Sequence, residues 1–334
     1  MCGLIRRSTL VLVVGTVLAL RANAGTGPAP LELEATIALA NVTGRIDHMA
    51  ADLGRGRLFV AELGNGSVDA IDLRSRQVIH RITGLEEPQG IAYAPGPDLV
   101  AVASGGDGAL HFYKGDDFAS VGRIELGKDA DNVHLDPRTG HLLVGYGAGA
   151  VAVVDPGLRQ KLAETALPAH PEGFQIAPDG RTAFVNLPDA KQIAVVDVSA
   201  NRQSESWKVP GLNANFPLAV SAKGDLIASV FRNPARLVLI NVSSGKVAEQ
   251  LDTCGDADDA FFDEKRSRIY VSCGAGVLDV FQQQATGTIR LAQIKAGAGA
   301  RTSLFVPELD RLFVAVRAGV SGGDAKILVF RPVQ

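Results

Sequence analysis

Cysteine, tryptophan and surplus charge are scarce in this chain, and each scarcity closes off a class of function. Only three cysteines occur among 334 residues, and neither Cys-x-x-Cys nor His-x-x-x-His spacing is present, so no ready-made zinc or redox motif can be read. Lys and Arg total 33 against 36 Asp and Glu, a formal charge of −3. That balance leaves no basic footprint for nucleic acid or anionic lipid. No stretch keeps a sustained helical period, which excludes folds that need crossover helices. Ser104-Gly105-Gly106-Asp107-Gly108 reads as a hairpin turn rather than a phosphate cradle between strand and helix. The single tryptophan, Trp207, is expected at a sheet edge.

What the chain has is a period. Seven short apolar strands, each after a turn rich in Asp, Pro and Gly, are centred on Phe59, Val100, Leu143, Phe184, Ala228, Tyr270 and Phe313. The first and last centres lie 254 residues apart, about 42 per repeat. A period of roughly 40–50 residues built from short strands is the mark of a β-propeller blade. Within the first repeat, Arg57 to Glu62 reads as a second strand, and Gly64-Asn65-Gly66 supplies a hairpin turn. Val68 to Asp72 alternates with period two, and Val78 to Ile82 forms the outer strand. The last repeat ends after its third strand, while the strand-like segment Leu31 to Ala40 has no repeat of its own. The expected fold is therefore an all-β, seven-bladed β-propeller over residues 31–334, its last blade closed by the N-terminal strand. Closure of this kind removes the exposed sheet edge.

Residues 1–24 read as a Sec-type signal peptide. Arg6-Arg7 gives the positive n-region, Leu10 to Leu20 the apolar core, and Ala22-Asn23-Ala24 the cleavage site. The apolar run is shorter than the about 20 residues a membrane-spanning helix needs. Residues 25–30 form a short lead into the propeller. The expected location is periplasmic or secreted. In such a compartment Cys254 and Cys273 are expected to pair, the alternative being two buried thiols. Both sit on one face of the sixth repeat, and closing that loop contributes about 3 kcal/mol by chain entropy.

The repeat resembles the YVTN/YncE-like seven-bladed propellers, exported bacterial proteins loosely related to lactonase-type and surface-layer propellers. The residues carrying the likeness are Asp52 with Arg57 to Ala61, Asp131-Asn132-Val133 with Asp136-Pro137, Pro171-Glu172-Gly173-Phe174, and Asp258-Asp259 with Tyr270-Val271-Ser272. The resemblance spans nearly the whole mature chain. It implies ligand or partner binding on one face, often without an assigned reaction.

Aligning the starts of the inner strands locates the candidate site. The first ring of residues facing the channel reads Asp47, Gln89, Asp131, Glu172, Phe216, Asp258 and Arg301. The next reads His48, Gly90, Asn132, Gly173, Pro217, Asp259 and Thr302. Inner strands crowd around an axis and favour small apolar residues, so charges at their entry need solvent, ligands or each other. Asp47, His48, Gln89, Asp131, Asn132, Glu172, Asp258, Asp259 and Arg301 are the candidate ligand-binding residues. Asp131, Glu172 and Asp258 offer oxygen donors for a divalent cation such as Ca or Mg. Arg301 suits a carboxylate or phosphate, and His48 a transition metal or a proton. His134 reads as a packed histidine, and His170 lies near the mouth. The favoured function is a monomeric binding module for a small molecule or protein. The alternative is a metal-dependent propeller hydrolase, lactonase or lyase using the channel carboxylates. A structural funnel of mutually paired charges is the plain competitor to both.

Overall fold

A computed structural model describes residues 29–319 and 323–334. The signal-peptide reading falls on residues outside that range. Seven four-stranded antiparallel sheets form the described part. Their inner strands are Met49–Asp52, Pro88–Ala94, Val133–Leu135, Phe174–Ile176, Asn213–Val220, Ala257–Asp263 and Ser303–Val306, which define blades 1 to 7. The N-terminal strand Leu31–Leu39 is the outer strand of blade 7 and pairs with Ala325–Pro332 from Leu31↔Pro332 to Leu39↔Ala325. Closure from the N-terminal side, expected from the unmatched segment, is what holds the ring shut.

The second strands show why the period is visible. In Arg57–Glu62, Leu58 and Val60 pack toward blade 7 while Phe59 and Ala61 pack toward blade 2, and all four are fully buried. A strand covered on both faces loses its polar alternation and reads as a continuous apolar run. The core is thus seven apolar layers, one between each pair of neighbouring blades. Burying each Phe or Leu stabilises by about 1.5–3 kcal/mol before chain entropy is counted. Trp207 ends the outer strand of blade 4, Arg202–Trp207, and packs buried against Phe184 with ring centroids 5.4 Å apart.

Cys254 and Cys273 form a disulfide, which ties the loop entering blade 6 to the end of its second strand. The bond fits an oxidising compartment. No helix among the described residues is long and apolar enough to cross a membrane.

Candidate functional site

A reciprocal pair of backbone hydrogen bonds fixes the inner-strand entry in blades 1, 3 and 4. The Asp47 N–H donates to the Ala61 carbonyl at 2.8 Å, and the Ala61 N–H donates back to His48 O at 3.0 Å. The same pair joins Asp131 and Asn132 to Gly145, and Glu172 and Gly173 to Asn186. Asp47, Asp131 and Glu172 therefore occupy one ring position, as the alignment predicts. In blade 7 the Ala315 N–H donates to Thr302 O, which puts Arg301 in that ring.

Blade 2 follows the same register. Its inner strand carries a bulge between Pro88 and Ile91, and Ile91 opposes Val102. Ile91 thus opposes its second strand as Met49 opposes Val60 and Val133 opposes Val144, so Gln89, two residues earlier, holds the ring position of Asp47 and Asp131, and Gly90 the next position with His48, Asn132 and Gly173. Gln89 is buried at that position and donates to Asp129 Oδ1 at 3.2 Å. Gly90 is required by contact: a Cβ on it would lie 1.9 Å from the Asp131 carbonyl oxygen. Gly173 plays the same part toward Phe216, with a Cβ only 2.4 Å from its carbonyl. Two glycines thus let the next blade's entry approach closely, and one of those entries carries Asp131.

The ring has two unlike sides. On one, Asp258 occupies a bulge between Ala257 and Asp259. Arg301 Nε lies 3.0 Å from its carboxylate and Arg45 Nη2 4.0 Å, and Arg232 Nη2 donates to it directly. Arg232 is locked in place, its Nε donating to Ala257 O at 2.8 Å and its guanidinium 3.6 Å from the Phe216 ring centroid. The aromatic at the blade 5 ring position is therefore a platform for a cation. Arg301 also reaches Asp256 at 3.1 Å.

On the other side Asp131, nine-tenths buried, lies between two imidazoles. His48 Nε2 is 3.8 Å from Oδ1 and His170 Nε2 3.9 Å from Oδ2, both too long for hydrogen bonds. Asp131 Oδ1 is buried with no hydrogen-bond partner among the described residues. His170 is oriented by donating from Nδ1 to Gly147 O at 2.6 Å. Asp47, 2% exposed, pairs with Arg45 at 2.9 Å and faces His48 at 3.7 Å.

Burial and like charge set the protonation of this side. Desolvation opposes the charge on His48, but Asp47, Asp259, Asp131 and Asp258 outweigh it and push its pKa up to about 9. His170 is likewise desolvated, yet Asp131 and the Gly147 carbonyl carry it to about 9. The acids move up too, first through burial: Asp47 to about 6 despite His48 and Arg45, Asp259 to about 7, and Glu172 to about 7 with help from Asp131.

Below the ring runs a cavity of about 290 Å³. Its walls mix apolar side chains, among them Ile91, Val133, Phe174, Leu218 and Phe261, with the polar Gln175 and Ser303, and His48, Asn132, Asp258 and Asp259 line its charged end. His134 also lines it; burial drops its pKa to about 3, and its ring sits edge-on to Phe174 at 4.6 Å, the packed histidine that was expected.

Of the three expected metal donors, Asp258 is taken up by guanidiniums, while Asp131 and Glu172 remain neighbours. Among the described residues no three His, Cys, Asp or Glu side chains stand together as metal ligands. Counting along inner strands missed Arg45 and Arg232, because one lies in the loop before blade 1 and the other on a second strand, Leu226–Asn233. The phenylalanine at the blade 5 ring position was the available sign that a cation stacks there.

No family model matches the chain, and no curated protein matches it. Solved structures do. A chain titled Kuenenia stuttgartiensis hydrazine synthase aligns at 16% identity and a TM-score of 0.77, covering 89% of this chain and 99% of that one. A chain from the crystal structure of a mitotic checkpoint complex aligns at 13% identity and a TM-score of 0.77, covering 96% of this chain and 99% of that one. At such identities the likeness shows the fold alone, the seven-bladed β-propeller.

Proposed function

We propose that this chain is an exported, monomeric binding module of the YVTN/YncE-like kind, which takes a small polar ligand at its channel mouth. The observation that carries the reading is convergence: Asp47, Asp131, Glu172, Arg232, Asp258 and Arg301 bring charge from six different blades to one mouth. A packed axial core would carry small apolar residues there. Below the charges, the partly apolar cavity gives a ligand body somewhere to lie, a combination typical of small-molecule sites. The buried Asp131 oxygen without a partner is a group that a donor on the ligand would satisfy.

The test is a thermal-shift screen of small metabolites against the full chain and its Asp131→Asn variant. A compound that stabilises the wild type and loses that effect in Asp131→Asn supports the reading. Equal shifts in both proteins, or none from any compound, overturn it.

A second reading is favoured by one feature. Glu172, raised to about 7 by burial and by Asp131, is the environment that a divalent cation would relieve. A metal-dependent hydrolase or lyase would then be built on Asp131 and Glu172. This reading requires Ca²⁺ or Mg²⁺ to bind stoichiometrically and to be lost in Glu172→Gln.

A further inference from the structure

Beside the channel mouth, a recess of about 90 Å³ opens between the loops of blades 6 and 7 and the approach to blade 1. Arg45, Arg301 and Arg317 line it, with Asp256 as the one acid among its walls. Two glycines make room for these charges. A Cβ on Gly274 would lie 1.9 Å from Asp256 Oδ2, and one on Gly299, whose φ is +79°, would lie 2.5 Å from Arg317 Nε. Guanidiniums outnumber carboxylates three to one among the walls. Asp47 and Asp258 reach Arg45 and Arg301 from the mouth, and Asp131 and Glu172 also bear on Arg45. Arg45 Nε is buried without a hydrogen-bond partner among the described residues. Arg317 makes no ion pair or side-chain hydrogen bond within them.

A guanidinium stays charged at every working pH and presents a planar fork of donors that matches two oxygens of one anion. Three such forks around a space the size of a head group, with donors left over and one carboxylate among the walls, form a receptor for an oxyanion. We propose that this recess seats the carboxylate or phosphate head of the ligand that enters the mouth. The inference rests on the mouth being a binding face, and adds the chemical class of one end of its ligand.

The experiment is calorimetric titration of the full chain with inorganic phosphate and, separately, with acetate, at ionic strength held constant by NaCl. Constant salt matters because exposed charges are screened within about 10 Å at 0.1 M. Saturable binding of either anion is expected, and the one that binds identifies the head. Arg317→Ala removes no hydrogen bond seen among the described residues, so it should fold normally and weaken binding about tenfold, the loss of one charge-assisted contact. Arg301→Lys keeps the charge but loses the fork and should also weaken binding. Arg74→Ala, the same change of charge at a remote exposed turn, should leave it unchanged. Undiminished binding in Arg317→Ala, or equal weakening in Arg74→Ala, overturns the seat in favour of diffuse attraction. If neither anion binds while another compound still stabilises the wild type but not Asp131→Asn, the seat is wrong and the mouth reading stands. If nothing binds at all, both fall.

Discussion

The two faces of the propeller use charge in opposite ways. At the turns that join first and second strands, four of the seven blades reach the next by a repeating contact. Arg55 bonds Asp98 through both terminal nitrogens, at 2.8 and 2.6 Å. Arg138 donates to the Asp179 carbonyl, the Ala222 N–H to Glu264 at 2.7 Å, and Arg266 to Asp310 at 2.7 and 2.8 Å. Each contact spans about one repeat, and most donors meet an acceptor at good distance. At the mouth, charge is unequal from blade to blade, three arginines share one aspartate, and a buried carboxylate oxygen has no partner. Charge that recurs with the period locks the ring; charge that breaks the period marks a site.

The largest expected effect comes from breaking the lock. Arg266 is buried, pairs with the buried Asp263 at 3.0 Å, and also donates to the Pro332 carbonyl beside the closing strand. Arg266→Ala leaves Asp263 charged and buried without that partner, which costs about 3–5 kcal/mol. Thermal unfolding should begin several degrees lower, while any ligand shift at the mouth persists. A variant with unchanged melting would mean that the turns on that face do not bind the blades together.

A smaller effect should follow from displacing the mouth without touching its charges. Gly90→Ala forces a methyl against the Asp131 carbonyl, and relief requires the blade 3 entry to move. Overpacking of this kind costs about 1–3 kcal/mol. The sharper readout is ligand response, which should drop as it does in Asp131→Asn. If Gly90→Ala destabilises the protein yet leaves the ligand response intact, the position of Asp131 is not what the ligand senses.

The frame was legible in the sequence because a second strand buried on both faces writes an unbroken apolar run at every turn of the period. Asp47, Gln89, Asp131, Glu172 and Arg301 could be placed by counting, since blades 1, 2, 3, 4 and 7 enter their sheets in the same register. What counting could not give is where a ring side chain turns: Gln89 is held by Asp129, in the loop before blade 3. Arg232 and Arg45 escaped for another reason. Their side chains reach the mouth from outside the inner strands, and reach is a property of three-dimensional packing, not of spacing. The sequence therefore exposed the acidic half of the site and only one of the guanidiniums opposite.

The two faces should also answer pH with opposite sign. Asp98 and Asp310 are held below the usual carboxylate range, first by hydrogen bonds from Arg55 and Arg266 respectively. Folding thus binds fewer protons at that face, and its contribution, present above about pH 4, is lost on acidification. At the mouth, Asp47, Glu172 and Asp259 hold their protons up to about 6, 7 and 7, while His48 and His170 hold theirs to about 9. Folding there binds extra protons, so stability falls as pH rises, first as the acids ionise between about pH 4 and 7. The histidine contribution is complete below about pH 6.5, the unfolded value, and is lost as pH climbs through 9. Urea unfolding across pH 5 to 9 should show a declining limb, and His48→Gln should flatten its part above pH 7. Because His48 is partly exposed, solvent screening keeps this effect the smallest of those expected. An unchanged alkaline limb in His48→Gln would show that the imidazole is not held charged by its acidic neighbours, and the mouth would then carry more net negative charge than its geometry implies.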